Sequence, residues 1–186
     1  MLRSVLPKML AKTILAAVAT AVSVGYANAQ QFQAVFSGLN ELGALNSETG
    51  AILSNGQAIL KLTLNTQLQS LNYTLTYSNL GTPVTQSHIH FGRARVPGGI
   101  IVFLCSNLGN GPAGTPACPN PSATVTGMLT PASVIGPTPQ NITPGNFQGL
   151  VTALTTQSAY GNIHTTQFPA GEIRGEIVQC PGSGCP

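Results

Sequence analysis

The 186-residue chain contains no tryptophan and no aspartate, and only 6% of its residues are charged. So few charges argue against a helical bundle or coiled coil, because solvent-facing helices need charged side chains. Without aspartate there is no Ser-His-Asp triad, and four glutamates are too few to favour a calcium or magnesium site. The G-x-S-x-G motif is missing, and the glycines between 109 and 114 lie between two cysteines rather than at a helix start. Serine hydrolases and dinucleotide-binding enzymes are therefore not predicted.

The first 29 residues have the pattern of a secretory signal peptide. Residues 1–12 carry three basic residues and no acid, a mostly apolar run spans 13–24, and A-N-A ends the pattern at 27–29. The apolar run is shorter than the roughly 20 residues that a membrane-spanning helix needs. We therefore expect cleavage after Ala29 and an exported chain, periplasmic or extracellular, that does not span a membrane.

Without this leader the chain carries no net charge. Three of its seven basic residues lie in 1–12, and the remaining four equal the four glutamates in number. Nucleic-acid binding needs clustered positive charge, because the affinity comes from replacing the counterions of the phosphates. We therefore expect no nucleic-acid partner. The four remaining cations are Lys61, Arg93, Arg95 and Arg174.

Four cysteines in an exported chain predict two disulfides, which allows three connectivities. Cys105 and Cys118 enclose a loop rich in glycine and proline, and Cys180 and Cys185 enclose four residues near the end of the sequence. We expect each pair to bond locally, so that residues 180–186 form a disulfide-closed tail. Neither pair has C-x-x-C spacing, and a thiolate metal site is the weaker interpretation.

The sequence between residues 30 and 179 predicts one antiparallel β domain. Apolar and polar residues alternate with a period of two, as in a sheet with one face in the core and one in water. An apolar stripe between Phe147 and Leu154 has helical spacing and predicts one short helix. About eight strands and one helix indicate an all-β fold, an antiparallel β-sandwich or open barrel. The predicted strands are 32–36, 58–65, 71–78, 100–104, 123–129, 159–165 and 172–179, together with the segment that contains His88 and His90.

All three histidines lie in two of these strands. A spacing of two places His88 and His90 on the same side of one strand, and His164 shares a face with Asn162 on another. If the two strands are neighbours, three neutral imidazoles converge. Such a set suits copper or zinc, with a fourth position open to water or a ligand. The alternative is that the histidines only form hydrogen bonds with the sheet and its loops.

Residues 171–176 (GEIRGE) place Glu172, Arg174 and Glu176 on one face of a strand. We expect Arg174 to pair with these carboxylates in a structural ion cluster. A glycosidase carboxylate pair is not expected, because four residues of extended strand separate the two glutamates by about 13 Å.

These motifs together resemble the CHRD domain, the module named after chordin. Residues 87–92 (SHIHFG), followed by an apolar strand to Cys105, are similar to its first half. Residues 159–165 (AYGNIHT) and 169–177 (PAGEIRGEI) are similar to its second half, so the resemblance covers residues 32 to about 179. It implies an extracellular or envelope domain without assigned chemistry. The expected function is that of an exported binding or structural module with an unknown protein or glycan ligand.

A second resemblance leads to an enzymatic alternative. An H-x-H pair on a β-sandwich strand, with another histidine nearer the C-terminus, is similar to the copper ligands of the Cu/Zn superoxide dismutases. This chain has no fourth histidine and no aspartate, so the zinc site of that family cannot form here. Two hypotheses remain. One is an exported CHRD module with a metal at His88, His90 and His164, and the other is a copper- or zinc-dependent enzyme using the same residues.

Overall fold

The computed structural model describes residues 29–42, 44–45, 48–67, 69–182 and 184–185. The predicted signal peptide lies outside these residues, apart from Ala29. In the described part of the chain, no helix has both the length and the apolar character of a membrane span.

The described residues form eleven β-strands, one α-helix and three short 3-10 helices. The 3-10 helices span Gly38–Asn40, Pro131–Ser133 and Thr138–Gln140. The strands and the α-helix are β1 (Gln30–Ser37), β2 (Ala44–Leu45), β3 (Glu48–Thr49), β4 (Gln57–Asn65), β5 (Ser70–Ser78), β6 (Val84–Phe91), β7 (Gly99–Ser106), β8 (Ala123–Leu129), α1 (Phe147–Thr155), β9 (Ala159–Thr165), β10 (Ile173–Glu176) and β11 (Val178–Gln179).

The main sheet is antiparallel and curls into a nearly closed barrel. Its strand order is β7-β6-β9-β10-β1-β4-β5-β8, and β11 pairs with β1 beside β10. The two ends of this order approach each other, because Tyr73 of β5, the strand next to β8, donates through its hydroxyl to the carbonyl of Leu104 in β7. The remaining strands, β2 and β3, pair with each other. The predicted all-β fold, an open barrel with one helix, is confirmed.

Alternating burial shows why the strands form one barrel. In β4, Leu60, Leu62 and Leu64 are buried while Lys61 is exposed, and β5 repeats the pattern. A strand with this alternation buries one face and leaves the other in water. The helix begins at Phe147, where Asn146 accepts a hydrogen bond from the Gly149 amide, and its buried stripe packs into the same core.

Strand β9 departs from this alternation, since all seven of its residues are buried. Its inner face belongs to the core through Ile163, which lies opposite Ile173 of β10 and in the same apolar cluster as Ile89 of β6. Gly161 and Gly175 pair across β9 and β10, and a Cβ on either would collide with the Phe36 region of β1. Loops cover the outer face of β9, where His164 lies near His88 and His90 of the neighbouring strand β6.

The structure joins Cys105 to Cys118 and Cys180 to Cys185. Next to the first bridge, the Asn107 side chain donates to the carbonyls of Val84 and Cys118 and accepts from the Cys118 amide. The glycine-rich loop between Cys105 and Cys118 is thereby fastened to the end of β6.

Candidate metal centre

The three histidines come together because β6 and β9 are neighbours in the sheet. The two strands pair antiparallel, with His88 opposite Asn162 and Gln86 opposite His164. Irregularities in the β6–β7 register flank the histidines, between 87 and 88 and between 89 and 90. Such bulges change the direction in which the neighbouring side chains point. One ring nitrogen from each of His88, His90 and His164 lies within 4.8 Å of the other two.

The cluster is shielded from solvent. His88 has 0% of its surface exposed, and His90 and His164 have 7% each. The His88 ring contacts the other two, with centroid distances of 5.4 Å to His90 and 5.0 Å to His164. The 93–98 and 166–171 loops provide the cover, as their contacts with Arg174, His90 and His164 show.

Two backbone carbonyls fix the tautomers of His90 and His164. Nδ1 of His90 is 2.9 Å from the Gly98 oxygen, and Nδ1 of His164 is 2.9 Å from the Pro169 oxygen. A carbonyl oxygen only accepts, so each Nδ1 carries the hydrogen and each neutral ring presents a lone pair at Nε2. Metal-bound histidines use the same arrangement, with one nitrogen on the ion and the other donating to the protein.

Burial keeps these rings neutral. It lowers the pKa of His88 to about 2 and that of His90 to about 4, and the charges of neighbouring histidines contribute to both shifts. The pKa of His164 is also lowered by burial, against a hydrogen bond to the Pro169 carbonyl. A histidine must be deprotonated to bind a metal, and these rings meet that requirement at neutral pH.

Of the three histidines, His88 has the fewest hydrogen-bond partners in the described part of the chain. Its Nδ1 lies 3.2 Å from Nε2 of His164, whereas its Nε2 has no hydrogen-bond partner among the described residues. The ring meets the Phe103 ring at a right angle, with 4.4 Å between centroids. A buried polar atom without a partner costs about 1–3 kcal/mol. This cost is present whether Nδ1 of His88 donates to His164 or binds an ion, so it does not distinguish the two hypotheses.

Two further buried polar residues, Asn162 beside the histidines and Glu41 near Asn162 and Arg174, were not predicted as site residues from the sequence. Asn162 is 3% exposed, and its Oδ1 is 3.1 Å from Nε2 of both His90 and His164. Glu41, 4% exposed, follows the first 3-10 helix. The N-x-H spacing was a signal for Asn162. Glu41 had none, because it comes from a distant segment without strand periodicity.

Arg174 lies in the same buried layer. It is 1% exposed, and its guanidinium pairs with Glu176 at 2.9 Å and donates to the carbonyls of Arg93 and Val96. The guanidinium lies over the Tyr160 ring, 3.3 Å from its centroid, and the opposite face of Tyr160 stacks on His90. The cation therefore supports one wall of the histidine cluster.

Glu172 has other partners than the expected ion cluster. Its carboxylate accepts hydrogen bonds from the hydroxyls of Ser54 and Thr165 and from the Gly81 amide. Among the described residues, the ion pair of Arg174 is with Glu176. The predicted face is thus divided between an ion pair whose arginine is buried and a carboxylate that binds two loops and the end of β9.

Comparison with known proteins identifies the family. A family model described as CHRD domain matches residues 32–177, which is most of the chain. No match was found among curated proteins or among solved structures. The matched range includes all three histidines, Asn162 and Arg174, together with the strands that hold them. The chain belongs to the CHRD domain family.

Proposed function

We propose that this protein is an exported CHRD-domain module, with a binding or structural function, that holds one zinc or copper ion at His88, His90 and His164. The observation that carries the proposal is the convergence of three neutral imidazoles within 4.8 Å on a buried face. The two disulfides support export, since such bonds persist in oxidising compartments.

The donor atoms favour a transition metal over a hard cation. Imidazole nitrogen suits zinc and copper, whereas calcium and magnesium take oxygen ligands. In a tetrahedral zinc site with bonds of about 2.0–2.1 Å, neighbouring ligand atoms lie about 3.3 Å apart. The distance of 3.2 Å between Nδ1 of His88 and Nε2 of His164 is close to this value.

The burial of the cluster favours a structural ion over a catalytic one. A catalytic metal keeps a position open to water or substrate, whereas structural sites are closed. All three histidines are at most 7% exposed, and loops cover them. The ion would link β6 to β9 through their outer face. The molecule that the module binds, a protein or a glycan, would then meet another surface.

Elemental analysis of the mature protein, purified untagged from its own export compartment, tests this proposal. We expect about one zinc or copper ion per chain, lost in the double variant His88→Ala/His90→Ala. Lys61→Ala is the control, because Lys61 is exposed on β4. Metal-free protein that takes up neither added zinc nor added copper would overturn the metal site.

A further inference from the structure

We propose, building on the metal site above, that Asn162 is the fourth ligand of the ion through Oδ1. The site would then be closed, with three imidazole nitrogens and one amide oxygen around the metal. This donor set includes a residue type outside the usual histidine, cysteine and carboxylate ligands.

The contacts of Asn162 cannot be ordinary hydrogen bonds in this arrangement. Its Oδ1 is 3.1 Å from Nε2 of His90 and 3.1 Å from Nε2 of His164. Both ring nitrogens carry lone pairs, because their rings donate through Nδ1 to Gly98 and Pro169. An amide oxygen also only accepts. Three acceptors thus face one another without a hydrogen between them.

A cation between these atoms removes the conflict. The two distances from Oδ1 and the distance of 3.2 Å between His88 and His164 are all close to the edge of a tetrahedral zinc site, about 3.3 Å. Asn162 faces His88 across the β6–β9 pair, and His90 and His164 lie two residues further along the same faces of these two strands.

A rotated amide would instead let its nitrogen donate to both rings, and no ion would then be needed between these atoms. The two arrangements differ in what Asn162 contributes. If Asn162 is a ligand, its removal opens a position on the ion. If it is only a hydrogen-bond donor, its removal leaves the coordination of a three-histidine site unchanged.

The test uses the mature, disulfide-bonded protein loaded with cobalt(II), whose visible absorption reports coordination number and geometry. We expect a four-coordinate spectrum that added azide does not change. In Asn162→Ala a water takes the fourth position, so azide shifts the spectrum and the ion binds at least about 10-fold more weakly. Asn162→Asp keeps an oxygen ligand and should remain insensitive to azide. Asn72→Ala is the control, because Asn72 is exposed on β5.

Two outcomes contradict the inference and can be distinguished. If the wild-type protein binds cobalt or zinc but Asn162→Ala and Asn162→Asp leave affinity and spectrum unchanged, Asn162 is not a ligand and the three-histidine site stands. If the wild-type protein takes up neither ion, the metal site itself is wrong.

Discussion

The outer faces of β4 and β6 are built from the same kind of alternating strand, yet they meet different surroundings. On β4, Ile59 and Lys61 point outward and are exposed. On β6, His88 and His90 point outward and are buried beneath loops. The inner faces of both strands contribute to one apolar core. Whether an outward polar side chain interacts with water or with other protein atoms depends on the loops above it.

This difference changes what a polar residue costs. An exposed side chain such as Lys61 keeps its hydration, and its replacement has little effect on stability. A buried one must find its partners inside the protein, and each polar atom left alone costs about 1–3 kcal/mol. The buried layer over β6 and β9 brings the lone pairs of His90, His164 and Asn162 together. A bound cation accounts for this convergence of acceptors.

The largest effect on stability is expected from replacing Arg174, the buried cationic side chain in the layer over β6 and β9. Arg174→Leu leaves Glu176 and the carbonyls of Arg93 and Val96 without their donor, so we expect a loss of about 3 kcal/mol in the free energy of unfolding. Lys61→Ala, which removes an outward cation from β4, should change it by less than about 0.5 kcal/mol. Urea unfolding of both variants measures these two changes in the free energy of unfolding. Equal changes would show that a cation in the layer over β6 and β9 contributes no more than an exposed cation on β4.

The second-largest effect on the free energy of unfolding is expected from losing the bound ion. At a free zinc concentration 100 times the dissociation constant, binding raises the free energy of unfolding by about 2.7 kcal/mol. His88→Leu should abolish this increment. The metal-free variant should remain within about 1 kcal/mol of the metal-free wild type, because leucine has a similar volume and no unpartnered nitrogen. Denaturant titrations with zinc and with a chelator give both quantities. A large loss in the metal-free variant, with no zinc effect on the wild type, would indicate purely structural histidines.

The tyrosines on the buried inner face of β5 should make the stability of the protein sensitive to alkaline pH. Burial raises the pKa of Tyr73 and of Tyr77 to about 12, and each hydroxyl donates to a backbone carbonyl. The unfolded chain releases these protons near pH 10. Between pH 10 and pH 12 the folded state therefore holds more protons, and the stability present below pH 10 falls as the pH rises.

Urea midpoints measured from pH 9 to pH 12 test this expectation. Tyr77→Phe removes one of the two hydroxyls, so its midpoint should fall less steeply over this range than that of the wild type. A wild-type midpoint that stays constant through pH 11, or an identical slope in the variant, would show that the phenols are not held neutral by the fold.

The smallest effect on stability is expected from a substitution on the exposed outer face of β4. Ile59 is 43% exposed, and Ile59→Thr keeps a β-branched side chain that suits a strand. We expect a change within about 0.5 kcal/mol in the free energy of unfolding, and no change in metal content. Urea unfolding together with elemental analysis checks both. A loss of several kcal/mol would mean that a further element covers this face.

The β-strands and the common face of His88 and His90 were predictable because they depend on local periodicity. The convergence with His164 also required β6 and β9 to be neighbours, which the sequence left as a condition. Alternation identified β4 and β5, and the H-x-H spacing placed His88 and His90 on one face. The loops over that face have no period, so the sequence did not show that the outer side of β9 is buried. Glu41 and the separate partners of Glu172 were not foreseen for the same reason. Both contacts depend on loop segments whose positions follow from tertiary packing.

X-ray absorption at the zinc edge of the metal-loaded protein tests the central claim most directly. The signal reports the ligand atoms around the ion, whatever the ion does for stability. We predict three imidazole rings and one further oxygen ligand at about 2.0–2.2 Å. A spectrum without imidazole scattering, or with ligands that remain unchanged in His88→Ala/His90→Ala, would contradict a metal centre on β6 and β9.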